Sequence, residues 1–461
     1  MKRASDLDSL LANLSCEGQL KEKFGLHYNP FPRSGIAIID DSDKVLGMLA
    51  PLHKDVSRKI VDYITDIINP DSIKKNNGDY LSLIIRGDYG TGKTQTLMYI
   101  KYLLKSITVE GIRPYVIYID NPGQKLPELI GSIVEQIGVE NFRRYLWNIF
   151  MEYLKGNGDV FLEKSSEEIH TMVNSIKEDL MSVIIPKEQT LFDNQTYIGE
   201  DIFDKQYLNY KVLLDALLKI SKTGQKKEIV KKIKEHMIKC YTGFFKSSVV
   251  ADYFYDIVSD NLGINKSWDI ITSGSSADLN KREVYILKAI VNIVKKEMGY
   301  TSFIILVDEF EEITTERLKS TDIDNYLRNL RSLIDREKNW CSVFAMTGLA
   351  LENIKTFSPP LAARIDDRIV DLQRLDVDSC VTLISNYLLL ARDNNEYDIS
   401  PFTVHAIETL LNTKDKQLSG SPRFVVKACY MLLQRAAEEL DKDAKIDENF
   451  VHKHMEGLLK Q

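Results

Sequence analysis

The residues best suited to chemistry stand at Gly87-Asp88-Tyr89-Gly90-Thr91-Gly92-Lys93-Thr94, followed by Gln95. The spacing is G-x-x-x-x-G-K-T, the phosphate-cradling P-loop pattern. Glycines at 87, 90 and 92 let the backbone bend so that consecutive N–H groups turn inward. A helix beginning near Lys93 would add the positive end of its dipole. Lys93 would place a point charge on the β- and γ-phosphates of a nucleotide, and Thr94 a hydroxyl on Mg²⁺. A second group lies more than 200 residues on, where the apolar run Phe303–Val307 ends in Asp308-Glu309. There Asp308 can hold Mg²⁺ or its hydration shell, and Glu309 can orient and deprotonate an attacking water. Thr347 closes a further apolar run, Cys341–Met346. Its hydroxyl either positions the same water or simply terminates a strand.

These residues need a scaffold that brings strand ends together. Leu81–Ile85 reads as a strand into the P-loop and Gln95–Leu104 as the helix leaving it. Tyr115–Asp120 is a second β-branched run, Asn121-Pro122-Gly123 turns it, and Leu126–Ile137 has helical spacing. Strand, P-loop, helix, strand, helix is the start of a parallel α/β sheet. Upstream, Val56–Ile68 is helical and stops at Asn69-Pro70. Residues 1–26 also read as helical, with leucines at 7, 10, 11 and 14. Between these two, His27–Gly35 carries two prolines and a glycine. That segment either wraps a nucleotide base or packs Tyr28 and Phe31 into the core. The polar stretch 74–79 leads into the P-loop strand.

From 140 to 282 the pattern becomes helical and rich in aromatics and lysines, too long for a loop in a compact sheet domain. Lys222, Lys226, Lys227, Lys231, Lys232 and Lys234 cluster within it, as a solvated helix face or as a phosphate-backbone contact. Ile323–Glu337 is helical, and from 376 onward four helical stretches follow one another. The third begins Ser421-Pro422-Arg423, an N-cap and first-turn proline that leave Arg423 able to face a neighbouring site.

The chain has 461 residues, 44% hydrophobic and 28% charged, enough for two or more domains of a soluble globular protein. A net charge of −7 disfavours wholesale coating of nucleic acid while permitting a local basic face. The five cysteines, Cys16, Cys240, Cys341, Cys380 and Cys429, lie far apart without C-x-x-C spacing and read as reduced, mostly buried thiols. No apolar run has the length of a membrane span and the N-terminus has no signal-peptide core, so a cytoplasmic location is expected.

The order of these motifs resembles the AAA+ ATPases. Within them it looks most like the initiator-type group: origin-recognition and Cdc-six-like proteins, and transposon target-selection ATPases. Arg86–Thr94 also looks like the P-loop of ATPases from bacterial phage-defence islands, including BREX-type systems. The resemblance covers 27–137 and 300–440. It implies an α/β fold, a parallel-sheet P-loop AAA+ core with a large helical insertion and a C-terminal all-helical lid. By it, Gly87–Gln95 bind ATP, Thr347 is sensor 1, and Arg423 is sensor 2. Arg364 or Arg368 is an arginine finger acting on a neighbouring subunit, unless these two arginines are spent on salt bridges to Asp366, Asp367 or Asp371. Arg423 could instead be a helix-end surface residue.

The expected organisation is an N-terminal segment at 1–55, the two halves of the core at 56–139 and 283–375, the insertion at 140–282 and the lid at 376–461. Initiators usually carry a winged-helix DNA-binding domain after the lid. Here the sequence reaches Gln461 too soon for one, and the insertion is foreign to a minimal initiator. Both departures point to a regulator or motor. The reading is an ATP-hydrolysing, Mg²⁺-dependent homo-oligomeric switch in a DNA-related process such as antiviral defence or mobile-element regulation. Its alternative is a nucleotide-gated signalling ATPase that recruits a protein partner through 140–282 without DNA contact.

Overall fold

Three short buried strands, each a nearly unbroken apolar run, form the centre of a five-stranded sheet. In the computed structural model, residues 18–35, 53–69, 80–156, 165–184, 207–221, 224–245, 248, 250–259, 279–315, 318–393, 398–413 and 418–459 are described. The expected helix around Leu7–Leu14, the polar lead-in 74–79, Cys16 and Lys222 lie outside them.

In chain order the elements are α1 (Lys54–Ile68), β1 (Leu81–Arg86), α2 (Lys93–Lys105) and β2 (Pro114–Ile119). Next come α3 (Leu126–Ile137), α4 (Val139–Lys155), α5 (Ser166–Ile184), α6 (Tyr210–Ile220), α7 (Lys226–Phe245), α8 (Ala251–Ser259) and α9 (Leu279–Asn292). Then follow β3 (Ser302–Val307), α10 (Ser320–Arg336), β4 (Cys341–Met346), α11 (Gly348–Phe357), α12 (Pro359–Ile365) and β5 (Ile369–Asp371). The chain closes with α13 (Val377–Leu390), α14 (Val404–Leu411), α15 (Pro422–Glu439) and α16 (Glu448–Leu459).

The sheet order is β2-β3-β4-β1-β5. β1 pairs in parallel with β4 and β5, and β3 with β4. Strands buried on both faces read as continuous apolar runs rather than alternating ones, and every residue of β3 is buried. The register sets Arg86 beside Met346 and Asp371, and Val307 beside Phe344. Because the strands run the same way, the segments after β1, β4 and β3 open at one edge of the sheet, where ligands of parallel α/β sheets bind. β4 lies between the other two, so the residue that closes it stands between the P-loop and Asp308-Glu309.

Apolar side chains of α1 and α2 cover one face. Val56, Ile60, Tyr63, Ile64 and Ile67 pack with Leu97, Ile100 and Leu104 on Leu83, Ile85, Ile304, Leu306, Val343, Ala345 and Val370. Near the edge where the strands open, Phe310 and Phe344 meet at 4.4 Å between ring centres.

Two compact units are present. One comprises Met1–Asn121, Ile304–Arg317 and Cys341–Gln461 and holds the sheet and α13–α16. The other comprises Pro122–Phe303 and Leu318–Trp340. The α/β class with a helical insertion and a C-terminal helical bundle is thus what the chain forms. The compact units divide the chain elsewhere than the expected limits at 140 and 282. They place α3 and α10 with the insertion's helices.

In the first unit, α13–α16 share a core around Ile384, Leu388, Leu410, Val425, Leu432 and Val451, and the N-terminal segment is built into it. Phe31 is 2% exposed and sits 5.3 Å from the Tyr387 ring and 6.1 Å from that of Phe402. Tyr28 stays largely exposed while its hydroxyl donates to the Leu390 carbonyl at 3.1 Å. The lead-in loop therefore packs Phe31 into a core, the core of the helical bundle.

The second unit uses its aromatics as filling. Phe142, Trp147, Phe150, Tyr241, Phe254 and Tyr255 are buried. The Trp147 indole donates to the Tyr207 carbonyl at 2.7 Å, and the Tyr241 hydroxyl to that of Leu146 at 3.1 Å. The lysine cluster on α7 is interleaved with carboxylates. Lys232 pairs with Asp179 at 2.9 Å, Lys234 with Asp252 at 3.4 Å and Lys231 with Glu235 at 3.9 Å. Pairing of these three lysines reduces the positive charge that this part of the helix offers a phosphate backbone.

The four described cysteines are free thiols, buried except for half-buried Cys341. Among the described residues no helix is long and apolar enough to cross a membrane.

Candidate nucleotide site

The loop between β1 and α2 bends on two glycines in a left-handed backbone that side chains with a Cβ rarely adopt. Gly90 has φ +78° and Gly92, just before α2, φ +96°. A Cβ on Gly90 would also stand 2.7 Å from the Ser421 hydroxyl. Lys93 is buried at the start of α2. Its ammonium donates to the carbonyls of Gly87 at 3.1 Å and Asp88 at 3.4 Å, lies 3.4 Å from Glu311 Oε1, and sits 5.1 Å from the centre of the Tyr89 ring.

Asp308 follows β3 and is 3% exposed, anchored by its N–H to the Ile119 carbonyl at 2.8 Å. Its Oδ2 accepts from the Thr94 hydroxyl at 2.5 Å and the Tyr118 hydroxyl at 3.0 Å, and its Oδ1 from the Glu309 N–H at 2.9 Å. A hydroxyl and a carboxylate held this close are the oxygen pair that a Mg²⁺ ion keeping mainly phosphate and water ligands takes from a protein. The residues present fit that ion. Among the described residues no group of three or more His, Cys, Asp or Glu is placed to hold a metal by itself. Burial beside this carboxylate pushes the Tyr118 phenol well above its ordinary value, and the Asp308 charge adds to the effect. Tyr118 therefore remains a donor.

Glu309 adopts φ +48°, a left-handed backbone unusual for a residue with a Cβ. That turn carries the chain out of β3 and sends the Glu309 side chain to the cavity. Although the side chain reaches solvent, partial burial raises its carboxyl above the usual glutamate range. The charges of Asp308, Glu311, Glu312 and Asp120 raise it further. A carboxylate so placed is a stronger base than a free one.

One cavity of about 200 Å³ joins these parts. Tyr89, Gly90, Gly92, Lys93, Thr94 and Gln95 line it, with Asp308 and Glu309. Gly87, Asp88 and Thr91 shape the loop without lining the cavity. Thr91 does so through its hydroxyl, which donates to the Asp88 carbonyl at 2.8 Å. Asp88 points to Arg374, 3.7 Å away in the segment joining β5 to α13. An apolar wall comes from Met98 of α2, Leu383 and Tyr387 of α13, and Val426 of α15, with Gly35 of the lead-in segment.

Arg423 lines the cavity from the first turn of α15. The cap expected at Ser421 takes another form. Its side chain makes no cap bond to α15 and instead donates to the Gly90 carbonyl at 3.4 Å, while the Arg423 N–H reaches the same carbonyl at 3.3 Å.

Thr347 closes β4 but is not part of the cavity wall. Its Oγ1 caps α11 by accepting from the Ala350 N–H at 3.3 Å, and its hydroxyl hydrogen is still available to donate. Arg364 and Arg368 are likewise outside the cavity. Arg364 is exposed near the end of α12. Arg368 pairs with Asp66 at 2.5 Å and stands 5.9 Å from the Tyr63 ring, so it does form a salt bridge, though not to Asp366, Asp367 or Asp371.

Sequence reasoning missed Tyr118, Glu311 and the apolar wall. Tyr118 is legible as a strand residue, but which strand lies beside it is not, and the Asp308 that its hydroxyl meets follows that neighbour. Glu311 is one of three acids, with Glu309 and Glu312, that closely follow Asp308, and nothing local singles it out.

No family model matches the chain, and no curated protein matches it. Two solved structures of the ORC2 protein of Aeropyrum pernix are similar to it. One, with ADPNP and ADP, matches 88% of this chain at 12% identity with a TM-score of 0.41. The other, the ADP form, matches 83% at 13% identity with a TM-score of 0.38. The chain spans 67% and 65% of those chains.

Proposed function

We propose that this chain is an ATP-binding and ATP-hydrolysing switch of the AAA+ initiator type, which self-assembles and acts in a DNA-related process such as phage defence or mobile-element regulation. The observation that carries the reading is the convergence, on one cavity, of Lys93 and Thr94, of Asp308 and Glu309, and of Arg423 from the helical bundle. In this reading the loop amides and Lys93 hold the β- and γ-phosphates. Thr94 and Asp308 hold Mg²⁺, which supplies charge neutralisation at the phosphates. Glu309 takes the proton of the attacking water, and Thr347 donates its hydroxyl toward the same region. Arg423 senses the γ-phosphate from the bundle. Arg364 or Arg368, both outside the cavity, serves as the finger for a neighbouring copy, and Arg364 is the more exposed of the two.

The test compares Glu309→Gln with Lys93→Ala. The first is expected to bind ATP at wild-type strength while phosphate release falls by about 10²–10⁴-fold. The second loses nucleotide affinity as well. Turnover at the wild-type rate in Glu309→Gln would remove the base from this assignment.

A second reading is favoured by the paired lysines of α7. With Lys231, Lys232 and Lys234 each beside a carboxylate, that face suits a protein partner better than a DNA backbone. ATP binding would then gate recruitment rather than DNA contact. ATP-dependent DNA binding that weakens steeply with salt separates the first reading from the second.

A further inference from the structure

Lys93 does not wait alone for a phosphate. Its ammonium lies 3.4 Å from Oε1 of Glu311, and the two side chains are only 9% and 7% exposed. The second oxygen, Oε2, is buried with no hydrogen-bond partner among the described residues, and Glu311 lines the same cavity as Asp308 and Glu309. The turn that carries it is anchored. Phe310 and Ile313, on either side of it in the turn Phe310–Thr314, are both fully buried. A buried carboxylate without a full set of partners is costly, and its one counter-ion among the described residues is the lysine that a nucleotide would also require.

From this pair we infer that Glu311 is a built-in competitor of the nucleotide phosphates for Lys93, a positioning residue that weakens nucleotide binding and speeds its release. The inference rests on the nucleotide reading above. An ammonium has three donors. Two point to the Gly87 and Asp88 carbonyls, and the remaining direction is shared between Glu311 and an arriving phosphate. A bound phosphate takes Lys93 away and leaves the Glu311 charge facing it across a poorly solvated space. Mg²⁺ offsets that repulsion, so the penalty is greatest without it.

The experiment measures equilibrium binding and dissociation of a ribose-labelled fluorescent ADP on the intact protein, with and without Mg²⁺, for wild type and Glu311→Gln. The glutamine keeps the shape and removes the charge. The expected result is roughly tenfold tighter binding and correspondingly slower release, with the larger gain in the absence of Mg²⁺. A purely structural role would not produce that dependence on Mg²⁺. Unchanged or weaker binding by folded Glu311→Gln, alongside a wild type that binds, would overturn the inference and leave the nucleotide reading standing. Failure of wild type to bind either ADP or ATP would overturn both. Should Glu311→Gln not fold, Glu311→Asp decides the matter. It keeps the charge but withdraws it by one methylene, so severalfold tightening supports the competition and unchanged or weaker binding refutes it.

Discussion

Asp308 is tightly held, with three donors fixing both of its oxygens. Tyr118 is the donor that can be removed without touching the P-loop. Tyr118→Phe is expected to leave the fold intact and to raise the Mg²⁺ concentration needed for half-maximal hydrolysis about tenfold, because second-layer donors orient metal-binding carboxylates. A metal titration that superimposes on the wild type would show that Thr94 and the Glu309 amide suffice. Glu309 carries a pH signature. Its carboxyl is held above the usual range, and the base role proposed for it requires the ionised form. The acidic limb of kcat/KM should therefore lie above about 4.3, the ordinary glutamate value. Glu312 is one of the charges that raises it, so Glu312→Gln should move the limb toward acid. A limb unmoved, or moved upward, would assign it to another group.

At the scale of elements, the important contact joins the start of α15 to the P-loop. Ser421 and the Arg423 N–H both reach the Gly90 carbonyl, and Gly90 is itself in a left-handed conformation. Gly90→Ala would force a Cβ toward Ser421 as well as strain the backbone. It should cost about 1–3 kcal/mol in denaturant unfolding and lower nucleotide affinity at least severalfold. Wild-type affinity in that variant would show that the loop and α15 separate freely. The cap of α11 offers a cleaner division of roles. Thr347→Val removes a cap worth about 1 kcal/mol. If Thr347 also acts on the water or γ-phosphate, turnover falls by more than the lost stability explains, and Thr347→Ser restores both. Equal loss of stability with unchanged turnover would leave Thr347 as a cap alone.

At the scale of the whole molecule, assembly is the property on which the proposed function turns. The Glu309→Gln protein, with ATP and Mg²⁺, is expected to shift from monomer to a defined oligomer, and further with a DNA duplex. An unchanged mass despite confirmed ATP binding would move the weight to the partner-gated reading and to residues 140–282. Mixing Arg364→Ala with Lys93→Ala should restore some hydrolysis if the finger acts on a neighbour. Recovery occurs because mixed joints then contain one intact cradle and one intact arginine.

The sequence by itself determined what depends on local rules. The P-loop pattern could be read because its glycines, lysine and threonine lie within one turn between a strand and a helix. Asp308-Glu309 could be read because an apolar strand ending in acids needs no distant partner to be noticed. The α/β class followed from periodicities that short segments carry on their own. The tertiary structure alone decided which strand lies beside which, and hence that Thr347 stands between the P-loop and the acidic pair. It also decided that Tyr118 serves Asp308, that Ser421 turns from its own helix to Gly90, and that Arg368 is spent on Asp66, 302 residues away. Such pairings join residues far apart in the chain. No local propensity encodes them, since they form only when the packing of whole elements brings buried polar groups within reach of one another.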